Sequence, residues 1–278
     1  MKPTQWLTIA ATAMLLLSSG CSTDKAGRTD VGAEPVDPAA AAPAPERWPR
    51  EKATPDHLAL AKELVERGYY QVALGQLEES GKTREHTAEV YTLMGTCHQK
   101  LGDLDKAADC FRRALKAEKN YGPAHNGLGI NAGLQNDPQA AVAALEAAVG
   151  SNPARADFYN NLGMARMTAG DLTGAEAAFR QSLALDSGFR RAAHNLAVCA
   201  GLAGREKEAL TRLMELFPKA TALNNLGAIR EMKGELAGAA ALYRQALALD
   251  PQLDLARRNL ERLEDSAGPT VKEKTNLP

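Results

Sequence analysis

Residues 156–189 read ADFYNNLGMARMTAGDLTGAEAAFRQSLALDSGF. Leu162 and Gly163 stand before a Gly170-Asp171 break, and Ala175 and Phe179 stand after it. On both sides of the break apolar residues recur at three- and four-residue steps, the spacing that gathers them on one face of an α-helix. The stretch therefore predicts two amphipathic helices joined by a turn at Gly170. The small Gly163 and Ala175 let the two backbones approach closely, and the larger Leu162 and Phe179 fill the space beside them.

The same pattern runs through residues 54–253. Gly68, Gly102, Asn136, Gly170, Gly204 and Gly234 mark the turns, and five residues after each come Ala73, Ala107, Ala141, Ala175, Ala209 and Ala239. Successive turns are 34 residues apart except the last pair, which are 30 apart. The copies span 54–87, 88–121, 122–155, 156–189, 190–219 and 220–253. In each, Leu60, Met94, Leu128, Leu162, Leu196 or Leu226 precedes a small residue, and Leu77, Phe111, Leu145, Phe179, Leu213 or Tyr243 follows in the second helix. Pro153 and Pro251 close second helices, since Pro does not continue a helix. Copy five lacks four residues, about one helical turn. Its second helix is predicted to be short and to end near Phe217-Pro218, with a change of curvature there. A terminal helix over 254–265 keeps Leu260 but puts Glu261 at the small position, so it is expected to cap the core with a polar face.

This period and residue set resemble the tetratricopeptide repeat family. The resemblance implies an all-α fold, a solenoid of six helix-turn-helix repeats plus a C-terminal capping helix. It covers about 200 of the 278 residues. There are departures. Where the family places a first bulky residue, the copies have His57, Tyr91, His125, Tyr159, Ala193 and Leu223. Copy one has Glu85 where the family often has Pro.

Composition and motifs narrow the function. Lys and Arg total 33 against 34 Asp and Glu, a balance that argues against nucleic acid held by general charge. The chain is 45% apolar, only 5% aromatic and has four Cys, too few and scattered for a disulfide scaffold. No G-x-x-x-x-G-K, G-x-S-x-G or H-E-x-x-H occurs. Gly127, Gly129 and Gly133 miss the dinucleotide fingerprint by one residue and lie in a first helix with no strand before it. His57, His98, His125 and His194 sit inside first helices as packing or groove residues, and His86 completes the five. No catalytic residue, metal site or cofactor is expected. Cys97 and Cys110 lie on the two antiparallel helices of copy two, where they are either a disulfide or two buried thiols, and Cys199 has no evident partner.

The N-terminus reads as an export signal. Lys2 precedes an apolar run from Trp6 to Leu17, too short for the ~20 residues a spanning helix needs. Ser18, Ser19, Gly20 and Cys21 follow. This layout resembles the bacterial lipoprotein signal, although Ser18 stands where that family usually has Leu. The resemblance implies cleavage after residue 20, a diacylglycerol on Cys21 and, with Ser22 rather than Asp next, sorting to the periplasmic face of the outer membrane. Ordinary cleavage nearby and a soluble periplasmic product is the alternative. The expected organisation is a signal at 1–20, a lipidated, disordered Pro/Ala-rich tether at 21–53, the solenoid at 54–265 and a disordered tail at 266–278. The lipid would be the sole membrane attachment.

In such solenoids the first helices line the concave face. The sixth position of successive copies reads Ala59, Leu93, Gly127, Asn161, Asn195, Asn225 and then Asn259 in the cap. An amide both donates and accepts, so this column suits the main chain of an extended peptide; it also suits bridging between neighbouring helices. Asn160 and Asn224 add amides one position earlier, and His194 and Arg258 at that register add selectivity. The expected partner is a protein or extended peptide segment. The words RRAAHNLAVCAGLAGR at 190–205 and ALNNLGA from 222 resemble the lipoprotein of tight-adherence (Flp) pilus assembly. That family implies help with assembly of the outer-membrane secretin. A general periplasmic adaptor recruiting hydrolases or proteases, and an accessory subunit of an enzyme complex, are the alternatives.

Overall fold

The computed structural model describes residues 56–82 and 86–266. The expectations for the signal, Cys21, the tether, Glu85 and the chain after Ser266 lie outside the described residues. Within them are thirteen α-helices and no strand: α1 His57–Glu66, α2 Tyr70–Gly81, α3 Thr87–Leu101, α4 Leu104–Ala117, α5 Gly122–Leu134, α6 Pro138–Ser151, α7 Ala156–Thr168, α8 Leu172–Leu185, α9 Arg190–Leu202, α10 Glu206–Leu216, α11 Lys219–Met232, α12 Leu236–Leu249 and α13 Asp254–Ser266. Odd-numbered helices are the first helices of the six copies and the cap, and even-numbered helices are the second.

The turns follow from backbone chemistry. Gly102 has φ 88° and Asn136 has φ 63°, the left-handed region that Gly reaches freely and Asn tolerates best among the others. At Gly102 the chain closes with two bonds, Gly102 N–H to the Gln99 carbonyl at 3.2 Å and Asp103 N–H to the His98 carbonyl at 2.9 Å. That pair satisfies carbonyls the helix end would otherwise leave bare. The next helix is often capped by Asp: the Asp137 and Asp171 carboxylates accept from the N–H groups of Ala140 at 3.0 Å and Gly174 at 2.8 Å.

Small residues set the spacing. A Cβ added at Gly163 would lie 2.5 Å from the Phe179 ring, and one added at Gly227 would lie 2.6 Å from the Tyr243 ring. The second-helix aromatic therefore rests directly on the first-helix backbone. All six repeat alanines, Ala73 to Ala239, are buried, as are Leu77, Phe111, Leu145, Phe179, Leu213 and Tyr243. The first-helix residues of the Leu162 register vary: Leu196 and Leu226 are buried, Met94 and Leu128 half-buried and Leu60 exposed. Leu60 is 41% exposed where Leu162 in the same register is 3% exposed, because no copy stacks ahead of α1 among the described residues.

Each first helix packs on the next first helix, from α1 against α3 through to α11 against α13, while successive second helices scarcely touch. Close packing on one side and splaying on the other bends the stack toward the first helices. The short copy is as expected: α10 has 11 residues where α8 and α12 have 14, and it stops just before Phe217-Pro218. The cap α13 buries Ala256 and Leu263 and leaves Glu261 exposed, so a charge stands where the complete copies need a small residue.

Candidate protein-binding groove

The fifth and sixth positions of the first helices lie where those helices meet. Asn161 of α7 donates its amide to Asn126 Oδ1 of α5 at 2.9 Å, and Asn195 of α9 donates to Asn160 Oδ1 of α7 at 2.9 Å. Asn259 of α13 donates to Asn224 Oδ1 of α11 at 3.0 Å. Within helices, Asn160 Nδ2 reaches Asn161 Oδ1 at 3.4 Å and Asn224 Nδ2 reaches Asn225 Oδ1 at 3.3 Å. The amides thus form two ribbons. One runs Asn126–Asn161–Asn160–Asn195 across three first helices, and the other runs Asn225–Asn224–Asn259 across two.

Asn160, Asn195, Asn224 and Asn259 are buried, Asn161, Asn225 and His194 half-buried, and Arg258 exposed. A buried amide without partners costs its full desolvation, so the buried members clasp neighbouring copies. At the ribbon ends, the Asn126 and Asn225 Nδ2 groups bond to nothing among the described residues. Ile130 and Met164 follow Asn126 and Asn160 by four residues, share their helix faces and are half-buried. Apolar side chains therefore flank the longer ribbon, and one amide donor is left over at an end of each ribbon.

His194 does not join as an amide would. Burial pushes its pKa below the ordinary 6.5, against a smaller opposing effect of its bond to Asn195. Its ring meets Phe217 edge-on, with centroids 5.6 Å apart. A neutral imidazole packed on an aromatic offers shape rather than charge. Two other first-helix histidines have local partners: His57 Nδ1 lies 2.8 Å from Gln76 Oε1, and His125 Nε2 lies 3.1 Å from the Lys119 carbonyl.

Cys97, Cys110 and Cys199 are free and buried. Burial pushes the Cys97 and Cys199 thiols up to about 11, which leaves almost no nucleophilic thiolate at neutral pH. Among the described residues no group of three or more His, Cys, Asp or Glu could hold a metal ion, and no helix is long and apolar enough to cross a membrane.

Three family models, each described as tetratricopeptide repeat, match residues 88–121, 126–189 and 220–253. The stretches they match are tetratricopeptide repeats. The TPR repeat-containing protein PA4299 of Pseudomonas aeruginosa is 29% identical over 160 residues, covering 56% of this chain. The chain spans about three fifths of that relative, 61% of its length. PilW, a widely conserved type IV pilus biogenesis factor, superposes with a TM-score of 0.61 at 24% identity, over 73% of this chain and 96% of PilW. YrrB, a TPR protein with an unusual peptide-binding site, superposes with a TM-score of 0.51 at 18% identity, over 66% of this chain and 96% of YrrB. These likenesses establish the tetratricopeptide solenoid, an architecture that typically serves as a non-catalytic scaffold for proteins or peptides.

Two residues that complete this surface escaped the sequence reading. Asn126 begins the longer ribbon; the signal for it was Asn recurring at the fifth position as Asn126, Asn160 and Asn224. Phe217 reaches His194 because copy five ends early, and only the shortened spacing hinted at that contact.

Proposed function

We propose that this tetratricopeptide array is a protein-binding scaffold, held by lipid on Cys21 at the periplasmic face of the outer membrane, that assists pilus assembly by gripping an extended segment of the secretin. The observation that carries the binding reading is the first-helix surface, where apolar Ile130 and Met164 lie beside the longer amide ribbon and the end donors on Asn126 and Asn225 are unspent. Donors set among apolar side chains suit a main chain, which offers a carbonyl at every residue whatever its sequence. A surface of this kind suits holding a partner rather than transforming it. The pilus reading draws on the words at 190–205 and on the shared architecture of PilW. The membrane reading draws on the small residues before Cys21; several acyl chains, at ~0.8 kcal/mol per buried CH₂, anchor firmly.

Mild cross-linking of the native envelope, followed by purification of the full chain, is expected to recover the secretin. Cys21→Ala should release the chain from the outer membrane and lower that recovery. Secretin multimers that assemble normally in cells lacking this protein would overturn the pilus assignment.

A further inference from the structure

The amide ribbons run beside an uncharged strip. From α5 to α11 the ninth position of the first helices holds Ile130, Met164, Val198 and Ala228. The thirteenth holds Leu134, Thr168, Leu202 and Met232. These positions follow the fifth by four and eight residues and so share its helix face. All but Val198 are half-buried or exposed. No Asp, Glu, Lys or Arg stands in these three registers across the four copies. At the second position Asp157 is held by Arg155 at 2.7 Å, and Arg191 lies 5.1 Å from the Phe189 ring centroid.

Charges stand at both ends of the strip, and they divide by what they touch. In α13, Arg262 holds Glu231 at 2.5 and 2.9 Å, whereas Arg258 is exposed and bonds to nothing among the described residues. In α3, Lys100 is likewise exposed and without a partner among them. One helix further out, in α1, come Glu66 and Lys62, the latter paired with Glu89 at 2.7 Å. The amides share this bias. Asn126, Asn161 and Asn225 are the half-buried members of the ribbons, and the oxygen of each accepts a bond from a neighbour. Only donors are left over on them, the Nδ2 groups of Asn126 and Asn225. The strip is therefore apolar in its middle and offers donors toward both ends, first an amide and then a cation.

First helices pack at about 8–10 Å, so α5 to α11 span roughly 25–30 Å, which an extended chain crosses in about eight residues. We infer that the groove takes an extended segment of a partner protein that is apolar over this length and carries Asp or Glu beyond each end. Its carbonyls accept from Asn126 and Asn225, its side chains cover Ile130 and Met164, and its carboxylates meet Lys100 and Arg258. A helical segment fits less well, because most of its carbonyls are engaged within the helix. The inference rests on the scaffold reading above and adds the chemistry of the segment held.

The test follows the fluorescence anisotropy of labelled peptides added to the full chain. Each peptide alternates valine and alanine over about eight residues and is flanked at both ends by aspartates, by asparagines or by lysines. The aspartate-flanked peptide is expected to bind best. The asparagine-flanked one should bind about fivefold more weakly, the worth of two exposed ion pairs, and the lysine-flanked one more weakly still. Lys100→Gln combined with Arg258→Gln, both at exposed sites, should bring the aspartate- and asparagine-flanked peptides level. Leu134→Glu puts a charge into the strip at an exposed site and should weaken both about tenfold. An aspartate-flanked peptide that binds no better than the lysine-flanked one, a preference for aspartate that survives in the double variant, or binding untouched by Leu134→Glu would each overturn the inference. Equal binding of all the peptides would remove the acidic flanks and leave the groove reading standing, whereas binding of none would overturn that reading as well. The pilus assignment is tested apart from these titrations, by secretin recovery from the envelope.

Discussion

The joint between copies four and five and the joint between copies five and six solve one problem differently. At the first, the repeat keeps its full length and Asn195 donates across to Asn160. At the second, four residues are missing, the fifth position is His194, and no amide crosses from α11 to α9. Across it Arg230 of copy six is doubly bonded to Glu206 of copy five at 2.7 and 3.1 Å, while inside copy five His194 lies edge-on to Phe217 and Arg190 donates to the Leu216 carbonyl. A regular step lets the same Asn-to-Asn bond recur at three junctions, copies three to four, four to five and six to the cap. An irregular step needs aromatic and ionic contacts made for that place.

The core beneath both joints is the most sensitive place to test this. Phe179 is fully buried against Gly163, and Leu213 fills the same register in copy five. Phe179→Ala should cost about 3–5 kcal/mol, because it removes a ring that the neighbouring backbone cannot collapse to replace. Chemical denaturation followed by circular dichroism measures it. In a solenoid stability sums over copies and their interfaces, so both joints should weaken together. A cost below ~1 kcal/mol would mean the ring is not wedged as described.

The amides separate the joints more sharply. Asn195→Ala leaves Asn160 Oδ1 buried without its donor and should cost roughly 1–3 kcal/mol. Asn225 sits in the same register of copy six but bonds only Asn224 in its own helix, at 3.3 Å. Asn225→Ala removes only this long bond within one helix and should cost less than Asn195→Ala. Equal losses in denaturation midpoints would show that the ribbon does not clasp the copies.

Much of this was legible from residue spacing. The thirty-four-residue period fixed the helix pairs, and the turn residues, repeat alanines and second-helix aromatics all fell where close packing requires them. The early end of α10 was legible as a missing turn beside Pro218. The partners of the amides were not. The asparagine column was visible, but its direction depends on the rotation between successive copies, which brings position six of one first helix to position five of the helix before it. Spacing along one chain does not give that rotation. The exposure of Leu60 was likewise hidden, because its pattern matches Leu162 and only its place at the edge of the stack differs.

Acid gives the smallest and most local test, through Glu206. Its carboxyl pKa is lowered from the ordinary 4.5, first by its bond to Arg230, with burial opposing and the charges of Arg230 and Lys233 assisting. A carboxyl whose folded pKa lies below its unfolded one stabilises the fold fully above the unfolded value. The stabilisation fades as pH falls from about 4.5 through the folded value, where the carboxyl takes up its proton. Glu206→Gln removes the charge at every pH. The variant should melt below the wild type at pH 7 by a few degrees at most, since the pair is partly exposed, and the gap should close on the acid side of that window. Because both chains share every other carboxylate, the difference between their melting curves isolates the joint between copies five and six. Curves that stay parallel from pH 7 to pH 3 would show that the pair with Arg230 contributes nothing there.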